Sequence, residues 1–314
     1  AMTVRIYAST DASAPVLTGE ANKLNDLLLA CLVNGYGSKL PAGWTRPFYD
    51  AATGQGSYKS NAAPFAWLHV QDNGQSAGGM REARMRGYED MSSYSAGTGP
   101  HPTVAQMANG YTVRKSQSAD ATPRAWLLAA DGHRFYLFTY TGDNPNITCN
   151  FVYGRIRSFK SGDNYANHIT GRETENNITQ TNVVDQLLVI RQTKFAATDG
   201  HIARSYTGIG GSVGASKISD SAKTEQGSTA ELGGFGLAYP YQVDGGLYLA
   251  KLYICESGFV RGELPGIWNP LHDRPLLDGD TFSGVTDLAA KSFRAVRCST
   301  AGELFLETSD TWDV

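Results

Sequence analysis

Residues 259–282, FVRGELPGIWNPLHDRPLLDGDTF, set His272 beside Asp273 and place two more carboxylates, Asp278 and Asp280, within a short span. A histidine flanked by acids is a common ingredient of acid/base and metal chemistry, because imidazole changes charge near neutral pH and a carboxylate can orient it. Upstream, Gly210-Gly-Ser212-Val-Gly214 fits the Gly-x-Ser-x-Gly pattern of a nucleophile elbow. Asp244 and His272 follow in the Ser, Asp, His order of α/β-hydrolases. Such an elbow needs a strand entering the turn and a helix leaving it. Residues 215–229, ASKISDSAKTEQGST, have no apolar helical face, and alternating βα units are missing upstream. Ser212 is therefore expected not to be a nucleophile.

The other chemical patterns also fail in identifiable places. Asp278-Gly-Asp280-Thr-Phe282 begins like a calcium loop but has Phe at position five and Ser at position six. An Asp-Gly turn whose carboxylates bond to nearby backbone amides accounts for it better. The histidines at 69, 101, 133, 168, 201 and 272 never fall as His-x-His or four apart, which argues against zinc or non-haem iron. Cys31, Cys149, Cys255 and Cys298 are more than forty residues apart and read as reduced core cysteines of a cytosol-folded protein. Gly208-Ile-Gly210-Gly211 lacks the third glycine of a dinucleotide fingerprint at its proper spacing, and no P-loop is present. No cofactor and no metal are expected. Paired carboxylates for glycoside hydrolysis leave no local signature, so a hydrolase acting on a host polymer stays open.

The elements that would position these residues read mostly as strands. Charged residues are only 18% of the 314, while 35 Gly, 16 Tyr and 12 Phe favour strands and tight turns. Thr3 to Ser9, Trp44 to Asp50 and Phe65 to Gln71 read as strands, and Arg81 to Asp90 as an exposed strand or irregular edge. Residues 92–124 read mostly as loop, with a short helix at Thr103 to Ala108. Pro123 to Ala130 and Arg134 to Thr141 form the clearest hairpin, across an Asp131-Gly132 turn of type I′. One long helix is expected over residues 19–34, with Thr18 as N-cap and an apolar face of Leu24, Leu27, Leu28, Cys31 and Leu32.

The fold class expected is α+β, predominantly antiparallel β, as hairpin-rich sandwich or barrel-like modules with one strong N-terminal helix. The polar stretch 171–182 suggests a division into a β-rich module over 2–172 carrying helix 19–34 and a second over 173–314. Net charge is −3 with no basic run to track a phosphate backbone, which argues against nucleic acid. The longest apolar stretch is far shorter than a membrane helix needs, and Met2 opens a strand-like run rather than a secretory leader. A soluble chain with no membrane partner is expected.

Within the opening stretch, Gly262 to Pro270 reads as a rigid loop whose prolines and glycines pin Ile267 and Trp268. That shape suits either a tryptophan lid over the chain's own core or an assembly contact made by Ile267 and Trp268.

Several segments together resemble a class of virion structural proteins of tailed bacteriophages. They are Val4-Arg-Ile-Tyr7 through Asp26 to Gly37, Ala125-Trp126 to Phe138, Phe159 to Asp163 with Tyr165-Ala166, and Arg261 to His272 through Asp280-Thr-Phe282. The resemblance implies a non-enzymatic part of a phage particle: a tail, baseplate, neck or capsid-surface component made in the host cytoplasm. Its partners would be other virion proteins and further copies of itself. A receptor- or glycan-binding module is the alternative to this and to the hydrolase, and would show as exposed aromatics lining a groove.

Overall fold

The computed structural model describes residues 2–77, 80–142, 148–173, 200–211, 213–219, 239–256, 259–272, 275–299 and 302–312. Ser212, Asp273 and most of the stretch 171–182 lie outside them. The first strands are β1 Arg5–Ala8, β2 Thr45–Asp50, β3 Gln55–Lys59, β4 Trp67–Ala77, β5 Met80–Tyr88, β6 Asp90–Met91, β7 Gly97–Thr98 and β8 Tyr111–Ser116. Next come β9 Trp126–Ala130, β10 Arg134–Tyr140, β11 Thr148–Arg155, β12 Arg157–Ser158, β13 Asn167–Thr170, β14 Arg172–Glu173, β15 Gly200–Ile202 and β16 Val213–Ser219. The last are β17 Leu249–Glu256, β18 Phe259–Pro270, β19 Thr281–Ser283, β20 Ser292–Ser299 and β21 Gly302–Glu307.

These strands pair antiparallel into two principal sheets. A 13-stranded sheet runs β1-β9-β10-β11-β13-β15-β16-β17-β18-β21-β20-β19, with β12 added beside β18, and a six-stranded sheet runs β14-β8-β5-β4-β3-β2. The described residues are thus predominantly antiparallel β with one short α-helical segment.

The sequence of β9 and β10, WLLAA and RFYLFTY, explains the layering. A half-buried strand alternates apolar and polar residues, whereas a strand covered on both faces is apolar throughout. Trp126, Leu128, Phe135, Leu137, Phe151 and Tyr153 join one core cluster with the helix and the six-stranded sheet. Leu127, Ala129, Tyr136, Phe138 and Val152 point to the opposite face and join Leu252, Ile254, Leu264, Val296 and Leu306. The β9–β11 meander is therefore a middle layer between two cores. Residues from both sides of position 173 build the second cluster, and β13 pairs with β15 across the same position.

Four expectations are corrected and one is extended. The helix is α over Lys23–Leu28 and then widens to a π turn over Leu29–Asn34. Its start is set by a distant residue: Leu24 N–H donates to Asp72 Oδ2 at 2.7 Å, while Thr18 Oγ1 accepts from Glu20 N–H instead. The five leucine and cysteine side chains of the expected apolar face are nonetheless all buried. Arg81 to Asp90 is no edge, since β5 lies between β4 and β8 and buries Glu82, Ala83, Met85 and Arg86. Residues 92–124 are mostly loop, as expected, but also hold a buried strand, β8, whose Arg114 and Lys115 are neutralised by Glu82 and Asp72. Thr103 to Ala108 forms a turn closed by Met107 N–H to Thr103 O rather than a helix. At the β9–β10 turn neither Asp131 nor Gly132 has positive φ; Asp131 Oδ1 accepts from His133 N–H and Arg134 N–H, which holds the turn by a side chain.

Candidate functional site

The stretch expected as a loop, Gly262 to Pro270, is strand, and this sets the geometry of a large groove. β18 pairs with β17 on one side and with β21 on the other. Its register jumps from Lys251↔Trp268 to Leu252↔Leu264, so Pro265, Gly266 and Ile267 bulge out of the β17 ladder. Proline is tolerated there because it need not donate to the ladder. Tyr136 Oη donates to the freed Pro265 carbonyl at 2.5 Å.

Ile267 and Trp268 are consequently buried in the chain itself, with Trp268 only 8% exposed. The Trp268 indole stands perpendicular to Phe293 at 6.1 Å, and its Nε1 donates to Glu307 Oε2 at 2.9 Å. Most of the surface of this pair is thus packed within the chain, and what remains faces a groove.

Trp268 forms part of the floor of a groove of about 1120 Å3 bounded by β17, β18, β19 and the turn before β17. Four carboxylates line this groove, Asp244, Glu263, Asp287 and Glu307, and two of them, Glu263 and Glu307, are held by cations. Glu307 also accepts from Lys291 Nζ at 2.6 Å, and Glu263 accepts from Arg157 Nη1 at 3.0 Å and Lys251 Nζ at 3.1 Å. Oxygens engaged in this way tie neighbouring strands together along the groove. The rim is apolar and open: Tyr239 is 43% exposed, Tyr248 38% and Val285 73%.

His272, the most conspicuous chemical candidate, is a structural pin. It is buried, and its Nε2 accepts from Tyr248 N–H at 2.8 Å, which places the ring proton of the neutral imidazole on Nδ1. Tyr239 meets the ring edge-on at 5.7 Å. Asp244 accepts from the Tyr248 hydroxyl and from Gly246 N–H, so Asp244 and His272 both converge on Tyr248. The nitrogen that would face a serine is occupied by backbone. Asp280 Oδ2 accepts from Leu277 N–H at 2.9 Å, as an Asp-Gly turn requires, and Asp278 Oδ2 accepts from Tyr140 Oη. Among the described residues no three His, Cys, Asp or Glu side chains gather as a metal site. Cys31, Cys149 and Cys255 are buried, and burial pushes the Cys255 thiol up to about 11.

Tyr239, Tyr248, Lys251, Glu263, Lys291 and Glu307 were not singled out from sequence, because they converge from separate strands. One signal was readable: in LYLAKLYICE, Lys251 breaks the apolar run with a period of two, marking the outer face of β17.

No protein-family model matches the chain, and no curated protein matches it. No described helix is long and apolar enough to cross a membrane.

Proposed function

We propose that the chain is a non-enzymatic structural protein of a tailed-phage virion, a tail, baseplate, neck or capsid-surface component that acts by protein–protein assembly. The observation that carries this reading is the groove. Its rim joins exposed apolar side chains, Tyr239, Tyr248 and Val285, to β19, the last strand in the order of the 13-stranded sheet. An apolar rim beside a terminal strand is the surface on which an extended segment of a neighbour gains both ladder hydrogen bonds and apolar burial. The segmental resemblance to virion proteins supports the same reading. The occupant is then another virion protein or a second copy of this chain.

The exposed Tyr239 and Tyr248 rings favour a second reading, in which the groove holds a saccharide of the host surface. A photo-crosslinking amino acid at Val285, introduced in intact particles, separates the two. Assembly requires a covalent adduct with a virion protein in most copies. A groove left uncrosslinked in particles, together with saccharide retention lost in Tyr248→Ala, supports the second reading and rejects the first.

A further inference from the structure

Beside the groove, sharing Arg157 with it, lies a separate polar pocket of about 300 Å3 lined by His133, Arg134, Arg155, Arg157, Lys160 and Asp163, among others. Its charge is unbalanced. Arg134 has Asp131 at 3.5 Å, and Arg157 has Glu263. Asp163 is taken by Arg261, which reaches it through Nε at 2.7 Å and Nη2 at 3.0 Å, and it also accepts from Ser158 Oγ at 2.6 Å. Arg155 and Lys160 make no ion pair among the described residues. Arg155 Nη2 donates to the Asp163 backbone carbonyl at 2.8 Å, while its Nη1 is buried with no hydrogen-bond partner among the described residues. Lys160 Nζ donates to the Tyr206 carbonyl and lies 5.1 Å from the centre of the Tyr206 ring, and among the described residues it has no other hydrogen-bond partner.

A guanidinium nitrogen buried without an acceptor loses its hydration and receives nothing in return, and a like charge nearby adds to that cost. Burial lowers the proton affinity of Arg155, Asp163 opposes this, and Arg134 adds to it. The missing component is an acceptor carrying negative charge. Its size is limited by a pocket far smaller than the groove, and its chemistry by the guanidinium and ammonium residues that line it, Arg155 and Lys160, donors that suit a tetrahedral oxyanion. Gly162, which also lines the pocket, sits at φ +67 with open space where a side-chain carbon would lie.

We propose that this pocket binds a phosphate group, with Arg155 and Lys160 as its direct ligands and Arg134 and Arg157 supplying the surrounding positive field. The site is independent of what occupies the groove. Phosphate reaches it either as the free ion or as a monoester on a larger molecule, and both present the same oxygens.

Isothermal titration of the full chain with inorganic phosphate at constant ionic strength tests the site, with chloride as control and glucose 6-phosphate as the monoester. The expected result is saturable one-site binding of phosphate, at least tenfold weaker in both Arg155→Gln and Lys160→Gln. Tighter binding of the monoester identifies an esterified ligand, and tighter binding of inorganic phosphate identifies the free ion. Lys160 is partly exposed, so its variant reports on the site even if Arg155→Gln folds poorly. No saturable binding to the unmodified chain, or equal binding by wild type and a folded Lys160→Gln, overturns the proposal.

Discussion

Arg261 shows how single residues hold this protein: fully buried, it is bound through Nε and Nη2 to Asp163 and through Nη1 to Glu256, and so ties β18 to the loop after β12. Trp268 works by packing instead. Trp268→Ala removes an indole from contact with Phe293 and leaves Glu307 without one of its donors, so it should cost roughly 3–5 kcal/mol of stability. Urea denaturation of the purified variant measures this, and an unchanged midpoint would mean that the indole is not seated in the core. Histidines supply a pH dependence. Burial lowers His101 and His201 to about 4 and His168 to about 3, with His101 and His201 adding to the effect on His168. In the unfolded chain each takes a proton near pH 6.5, whereas in the folded chain none does until pH 3–4. Their contribution is therefore complete above pH 6.5 and is lost as the pH falls from about 6.5 toward 4, at up to roughly 3 kcal/mol per histidine. Stability measured in urea at pH 7.5, 6 and 5 should fall in that order, and a flat profile would contradict the burial of these rings.

Among the elements, β18 carries the most consequence, and its bulge depends on one glycine. Gly266 sits at φ +85, and a Cβ there would lie 2.4 Å from the Trp312 indole. Gly266→Ala should therefore destabilise by roughly 1–3 kcal/mol through overpacking and left-handed strain, read as a lower urea midpoint, and a neutral result would argue that Trp312 does not close over the bulge. The same bulge explains why this strand was not legible. Proline and glycine at 265 and 266 are turn residues by local preference, and only pairing with β17 and β21 makes the segment a strand. The β9–β10 hairpin was legible because its apolar runs are long and Asp131 closes the turn locally. The helix was legible by its leucine spacing but not by its start, since the capping carboxylate, Asp72, is 48 residues away from Leu24. Strand β8 was hidden because an Arg-Lys pair belongs in a loop unless buried acids meet it, and both acids come from other strands.

Across the whole molecule, the middle layer of β9, β10 and β11 is flanked by two cores, one shared with the helix and the six-stranded sheet and one with β17 to β21. The fold class follows from composition and apolar runs, which act locally. The groove does not, because its floor and rim are drawn from residues 157 to 312 and meet only through strand order. Buried ion pairs brace this architecture, and exposed apolar side chains at the groove beside β19, Tyr239, Tyr248 and Val285, mark where recognition by a neighbour would act. The most direct measurement is a cryo-electron microscopy map of the parent particle at side-chain resolution. The account expects this chain at fixed positions, with a neighbouring virion protein against Tyr248 and Val285 and along Thr281–Ser283. Particles that lack the chain, or hold it with the groove facing solvent in every copy, would contradict it.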